Sequence, residues 1–174
     1  NSSGTAYTTL ATMMQLFGED GGFDFMKGLH SNINQYTKSG SAPIKAAGRG
    51  ETTIGIVFMH DAVKQAVKGF PVKVVAPAEG TGYEIGSMSI IDGARNMKEA
   101  KAFYDWALSA DAQNLALEVN AFQVPSNTGA KTSASAPDMS TIKLIDYDFK
   151  TYGSSATRKR LLKKWDDEVS VLAQ

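Results

Sequence analysis

Residues 52–76, TTIGIVFMHDAVKQAVKGFPVKVVA, constrain the fold more than any other part of the chain. The first seven form a continuous apolar, β-branched run, the pattern of a strand buried on both faces. At Met59, His60 and Asp61 the period changes. Ala62, Val63, Ala66 and Val67 then fall on one side of a short helix that ends at Gly69. Val72, Lys73, Val74, Val75 and Ala76 predict a further strand. Strand, helix and strand in this order make a crossover between parallel neighbours, so the expected fold is α/β with a parallel sheet. Ligands of such sheets sit at the carboxyl ends of strands and at helix N-termini.

Three positions meet that description. The opening NSSGTAY supplies hydroxyls from Ser2, Ser3 and Thr5, and Gly4 lets a backbone N–H approach a ligand. A helix follows, with Leu10, Met13, Met14 and Phe17 on one stripe and Gly18 as its stop. The free N–H groups of its first turn form a seat for phosphate or carboxylate. The second position is the turn after a short strand at 33–37, where Thr37 and Ser39 lie. The third is the strand end at 58–61, where His60 precedes Asp61.

The remaining segments continue the alternation. A short helix through Phe23, Met26 and Leu29 places His30 at its end, a surface position that complements the helix dipole. Ser41 and Pro43 start another helix. The glycine-rich 77–86 region leads into a strand at 87–91, whereas a dinucleotide fingerprint requires a helix there. Asn96 to Glu99 reads as a capping box, Ser109 as a second cap, and 126–140 as a long loop. The last helix is basic, then acidic, with Leu161, Leu162, Trp165 and Val169 on one stripe, and its Lys/Arg cluster reads as a solvated face.

With 174 residues, 43% of them hydrophobic, the chain can bury a core. Eighteen basic and eighteen acidic residues cancel, which argues against nucleic acid as a partner. The absence of cysteine excludes disulfides and thiolate sites. No apolar run is long enough to span a bilayer, and the chain opens without the pattern of a signal peptide. Motifs for nucleotide binding, serine hydrolysis or zinc are missing, so neither a catalytic residue, a metal nor a cofactor is expected. A small α/β hydrolase with Asp61 as nucleophile lacks a second acid at a telling spacing. Glu84 beside its glycines can accept hydrogen bonds from ligand hydroxyls, an arrangement suited to sugars.

SGTAYTTLATMMQLFGEDGGFDFMKGLH, GETTIGIVF, VKVVAPAEGTGYEIGSMSIIDGARNMKEAKAFYDWALSADAQ and VPSN together resemble the later half of a type II periplasmic solute-binding protein of an ABC importer. The branch contains ferric-ion, aminoethylphosphonate and hexose-phosphate binders. The resemblance implies a fragment without the first lobe: 1–86 as the second lobe, 87–135 as hinge strand and first-lobe helices, and 136–174 as a segment returning to the second lobe. Ferric-ion binders carry adjacent tyrosines at the 58–61 strand end, and this chain has no such pair. The hexose-phosphate binders are the better match. They imply His60, Asp61 and Glu84 as sugar contacts, Ser2, Ser3, Gly4 and Thr5 as phosphate or hydroxyl contacts, and Thr37 and Ser39 from the neighbouring turn. The implied role is a periplasmic, non-enzymatic receptor that delivers a hexose phosphate to a membrane permease. Phe103, Trp106, Leu108 and Leu115 of the 96–120 helices are expected to be exposed and to favour self-association or pairing with the missing lobe.

Overall fold

The computed structural model describes residues 3–172. Helix α1 spans Gly4–His30 and is broken at Gly18, whose φ of 73° and ψ of 169° are non-helical. The sequence stop is therefore real, but the chain re-enters a helix at once instead of leaving it. The kink folds the second half of α1 back on the first. Gly22 packs there so tightly that an added Cβ would lie 3.0 Å from the Met13 carbonyl oxygen. Phe17 and Phe25 stack across the bend at 5.5 Å.

Five more α-helices and a 3-10 turn with helix α7 complete the order: α2 Ala42–Gly48, α3 Met59–Val67, α4 Met97–Ala107, α5 Ala110–Glu118, the turn Met139–Thr141, α6 Phe149–Tyr152 and α7 Ser155–Glu168. Caps start several of them. Ser109 accepts from the Ala112 N–H, Asp148 from Thr151 and Ser154 from Thr157. Asn96 stands at the start of α4, but its side chain makes no cap bond.

The main core joins α1 to α7. Leu10, Ala11, Met14 and Phe23 of α1 are buried with Leu161 and Val169. Arg158, Arg160 and Lys164 of α7 serve this contact, contrary to their reading as a solvated face, while Lys159 and Lys163 are exposed as that reading expects. Arg158 lies 4.4 Å over the Tyr7 ring and Lys164 lies 4.5 Å over Phe23. Arg160 binds both oxygens of Glu19 at 2.6 and 2.8 Å. His30 also departs from expectation. It is buried, and its ring nitrogens meet Tyr36 Oη at 2.9 Å and the Leu172 carbonyl at 3.1 Å. The contact completes a wall in which Tyr36 meets Trp165 edge-on.

The predicted strands at 33–37, 52–58, 72–76 and 87–91 form no ladder among the described residues. The only β pairing there is an isolated parallel bridge between Thr81 and Leu144. The segments still have strand character: Val72, Val74 and Ala76 are half-buried while Lys73 and Val75 are exposed, the period of two of an extended chain. A ladder needs a neighbour about 4.8 Å away. Segments 53–58 and 71–75 instead line one cavity of about 590 Å³, and the N–H groups of 53–57 and 73–76 donate to no described residue. The α/β reading is thus reduced to helices carrying extended, unpaired segments. Phe103, Trp106, Leu108 and Leu115 are exposed, as expected.

Two outcomes test this packing. Leu161→Ala empties a fully buried site and is expected to cost about 2–5 kcal/mol in urea denaturation. Glu19 titrates low chiefly because Arg160 hydrogen-bonds its carboxylate, against the opposing effect of burial. A depressed folded-state pKa means the stabilisation is complete above the ordinary carboxylate range and disappears as pH falls through the lowered value. Glu19→Gln should therefore cost up to about 1 kcal/mol at neutral pH, a figure discounted for solvent screening of this exposed pair. The difference from wild type should close in strong acid.

Candidate functional site

The first turn of α1 is the best-formed polar feature. Ser3 is the N-cap in extended geometry (φ −101°, ψ 133°), its side chain makes no cap hydrogen bond, and the turn contains no acidic residue. The start of α1 therefore keeps its free N–H groups and unspent hydroxyls beside the positive end of the dipole. Ser2 lies outside the described residues.

Two other segments converge on this turn from different sides. The 37–41 turn is tied internally by the Thr37 hydroxyl donating to the Ser39 carbonyl at 2.8 Å. Its Gly40 sits so close to α1 that a Cβ would collide with the Thr5 hydroxyl and lie 3.2 Å from Ser3 Oγ. On the other side stands Glu84. Its Oε1 lies 3.4 Å from where a Cβ on Gly4 would be, and it accepts a hydrogen bond from the Thr8 hydroxyl.

The glycine-rich approach explains how Glu84 arrives there. Thr81 is tied to the 143–145 segment, donating to Lys143 O at 2.9 Å and accepting from Ile145 N at 3.1 Å. Gly82 then grazes α1, where a Cβ would collide with Thr12. Tyr83 anchors the next step by packing edge-on against Phe149 at 5.2 Å. The glycines serve close approach of two backbones, and Glu84 is the side chain delivered.

His60 and Asp61 occupy the first turn of α3, both half-buried, with Nε2 and Oδ2 3.8 Å apart and His60 stacked on Phe58 at 5.8 Å. Asp61 does not cap α3, because the helix already begins at Met59. The structure does not bring this pair into contact with Ser3, Thr5 or Glu84. Phe58 and Met59, immediately before it, line the same cavity as Thr5.

A feature missed in the sequence lies behind Glu84. Tyr7, Tyr83, Tyr147, Phe149, Tyr152 and Arg158 surround a cavity of about 190 Å³ that Glu84 also lines. Burial pushes the Tyr147 phenol up to about 12, with Tyr7 and Glu84 adding to the effect. The closely spaced aromatics at 147, 149 and 152 were the available signal. Among the described residues no three His, Cys, Asp or Glu side chains gather as a metal site, and no helix is long and apolar enough to cross a membrane.

Residues 1–151 match the family described as bacterial extracellular solute-binding protein. The chain belongs to that family. This solute-binding protein is 53% identical to the periplasmic binding protein AfuA from Actinobacillus pleuropneumoniae, in a structure with exogenous fructose-6-phosphate bound. The two superpose with a TM-score of 0.93 over 98% of this chain and 54% of that one. A second solved periplasmic binding protein, P5PA, shares 42% identity and a TM-score of 0.89 over 97% of this chain and 54% of its own. An uncharacterized protein of Haemophilus influenzae is 50% identical over 98% of this chain and 49% of its own length. The solute-binding protein described here thus spans about half the length of these relatives, and its backbone is that of a periplasmic binding protein.

The convergence on α1 gives a paired test. Gly40→Ala is expected to displace the 37–41 turn and cost about 1–3 kcal/mol through overpacking. Gly28→Ala, with nothing within 4 Å of the added carbon, should instead be neutral or stabilise α1 by about 0.5–1 kcal/mol. Thermal denaturation distinguishes the two, and equal behaviour would contradict the close approach at Gly40.

Proposed function

We propose that this solute-binding protein is part of a non-enzymatic receptor that captures a hexose phosphate in the periplasm and delivers it to the permease of an ABC importer. The observation that carries the reading is the meeting of a carboxylate and a hydroxyl-rich helix start on two sides of one turn. A sugar phosphate needs both, an acceptor for ring hydroxyls and a donor-rich seat for an anion. The likeness to a structure holding fructose-6-phosphate supports the same class of ligand.

Electrostatics divides the work between the two sides. Glu84 already lies against Gly4, and two anions on one side of a helix start repel each other. The phosphate therefore takes the side where Ser3, Thr5 and the Thr37 to Ser39 turn meet. Glu84 accepts from a ring hydroxyl, and His60 with Asp61 meets the sugar from the start of α3. A ferric-ion receptor is less well supported. The gathered tyrosines would have to ionise, and burial makes that harder for Tyr147.

In a receptor of the relatives' full length that carries this segment, Asp61→Ala and Glu84→Ala should each weaken hexose-phosphate binding by roughly 1.5–3 kcal/mol, the scale of a hydrogen bond to a charged group. Folding should persist in both. Titration calorimetry with fructose 6-phosphate, aminoethylphosphonate and Fe(III) checks both the effect and the ligand class. Unchanged affinity in both variants, or tighter binding of either competing ligand, would remove the hexose-phosphate reading.

A further inference from the structure

Thr8 lies in the buried stripe of α1 between Tyr7 and Leu10 and is only 5% exposed. A hydroxyl in such a place needs a partner. The helix itself supplies one, since the Gly4 carbonyl is 3.2 Å away. Thr12, one turn further on and equally buried, uses only that kind of partner and donates to the Thr8 carbonyl at 2.7 Å. Thr8 has a second acceptor. Its single proton can go to Glu84 Oε1, and a carboxylate oxygen is a stronger acceptor than a backbone carbonyl.

Glu84 needs such a hold. It is exposed, and it belongs to residues 83–91, whose backbone N–H groups donate to no described residue. A glutamate there would otherwise move among many rotamers. With Oε1 taken by Thr8 beside Gly4, Oε2 has no hydrogen-bond partner among the described residues. We infer that Thr8 is a positioning residue: it fixes one Glu84 oxygen at the start of α1 so that the other accepts from a ligand hydroxyl. Thr8 thereby sets the preference for a phosphorylated sugar over a bare phosphate. The inference rests on the hexose-phosphate reading for the identity of the ligand, and on hydrogen bonding alone for the hold on Glu84.

Thr8→Val removes the hydroxyl at nearly constant volume, Thr8→Ser retains it, and Thr12→Val removes an equally buried hydroxyl that does not touch Glu84. The first readout is ligand-free ¹³C relaxation of the Glu84 side chain in this chain. The side chain should be ordered in wild type, Thr8→Ser and Thr12→Val, and mobile in Thr8→Val. Thr8→Ala serves if the valine variant does not fold. The second readout is an NMR titration of a receptor of the relatives' full length that carries this segment. Thr8→Val should raise the Kd for fructose 6-phosphate by about tenfold, the scale of one hydrogen bond to a charged group. It should leave the Kd for inorganic phosphate within about twofold, because that ligand brings no sugar hydroxyl to Glu84. Thr8→Ser should restore the wild-type preference.

A Glu84 side chain as mobile in wild type as in Thr8→Val overturns the proposal. Equal loss of both ligands in Thr8→Val overturns it as well, since that is the mark of a merely structural role. If the full-length wild type takes up no fructose 6-phosphate, the hexose-phosphate reading falls, and the Glu84 relaxation then decides the hold of Thr8 on the carboxylate by itself.

Discussion

The burial of one stripe of α1 against α7 governs the rest of the structure. α1 carries the candidate site on its first turn, so whatever orients α1 orients the site. Leu10, Met14 and Phe23 close on Leu161 and Val169, and the rings of Tyr7 and Phe23 are covered by Arg158 and Lys164. Burying five such side chains stabilises by roughly 1.5–3 kcal/mol each before chain entropy is counted. The Glu19 contacts of Arg160 and Lys164 add little energy but fix the register of the two helices. The kink at Gly18 lets both halves of α1 contribute to one core.

Once α1 is held, its two sides are used differently. The Gly4–Thr8 side receives Glu84 because Gly82 allows the incoming chain to graze the helix. The Ser3–Thr5 side receives the 37–41 turn through Gly40. Two glycines thus permit two close approaches to α1, Gly40 at its first turn and Gly82 at Thr12. The threonines on the same turns supply hydroxyls without adding charge. A helix start with one carboxylate already beside it is a graded environment, basic toward the turn and acidic toward Glu84. A ligand with a charged end and a hydroxylated end matches it better than a simple anion does.

Local signals in the sequence were readable where the physics is local. Gly18 breaks the helix because its backbone can leave helical geometry, and Ser109 caps because its hydroxyl reaches an N–H three residues on. The apolar 52–58 and 72–76 runs were recognisable as extended, yet whether a strand has a neighbour depends on the rest of the fold. His30 was misread because its partners are the Tyr36 ring and the Leu172 carbonyl, the latter supplied from the far end of the chain. Arg158, Arg160 and Lys164 departed from the solvated-face reading for the same reason, since Glu19, Tyr7 and Phe23 lie far upstream. Glu84 could be singled out beside its glycines, but no local signal marks Thr8, whose partner Glu84 lies 76 residues further on. His60 and Asp61 stood out through the resemblance, and the structure keeps them together without joining them to α1.

The most direct test of the account is a crystal structure of this chain with fructose 6-phosphate. The account predicts phosphate oxygens within hydrogen-bond reach of Ser3 or Thr5 and the 37–41 turn, and a ring hydroxyl donating to Glu84 Oε2. A sugar phosphate seated instead in the aromatic cavity between Tyr147 and Arg158, with Glu84 turned away from it, would contradict the assignment of the helix start as the ligand wall.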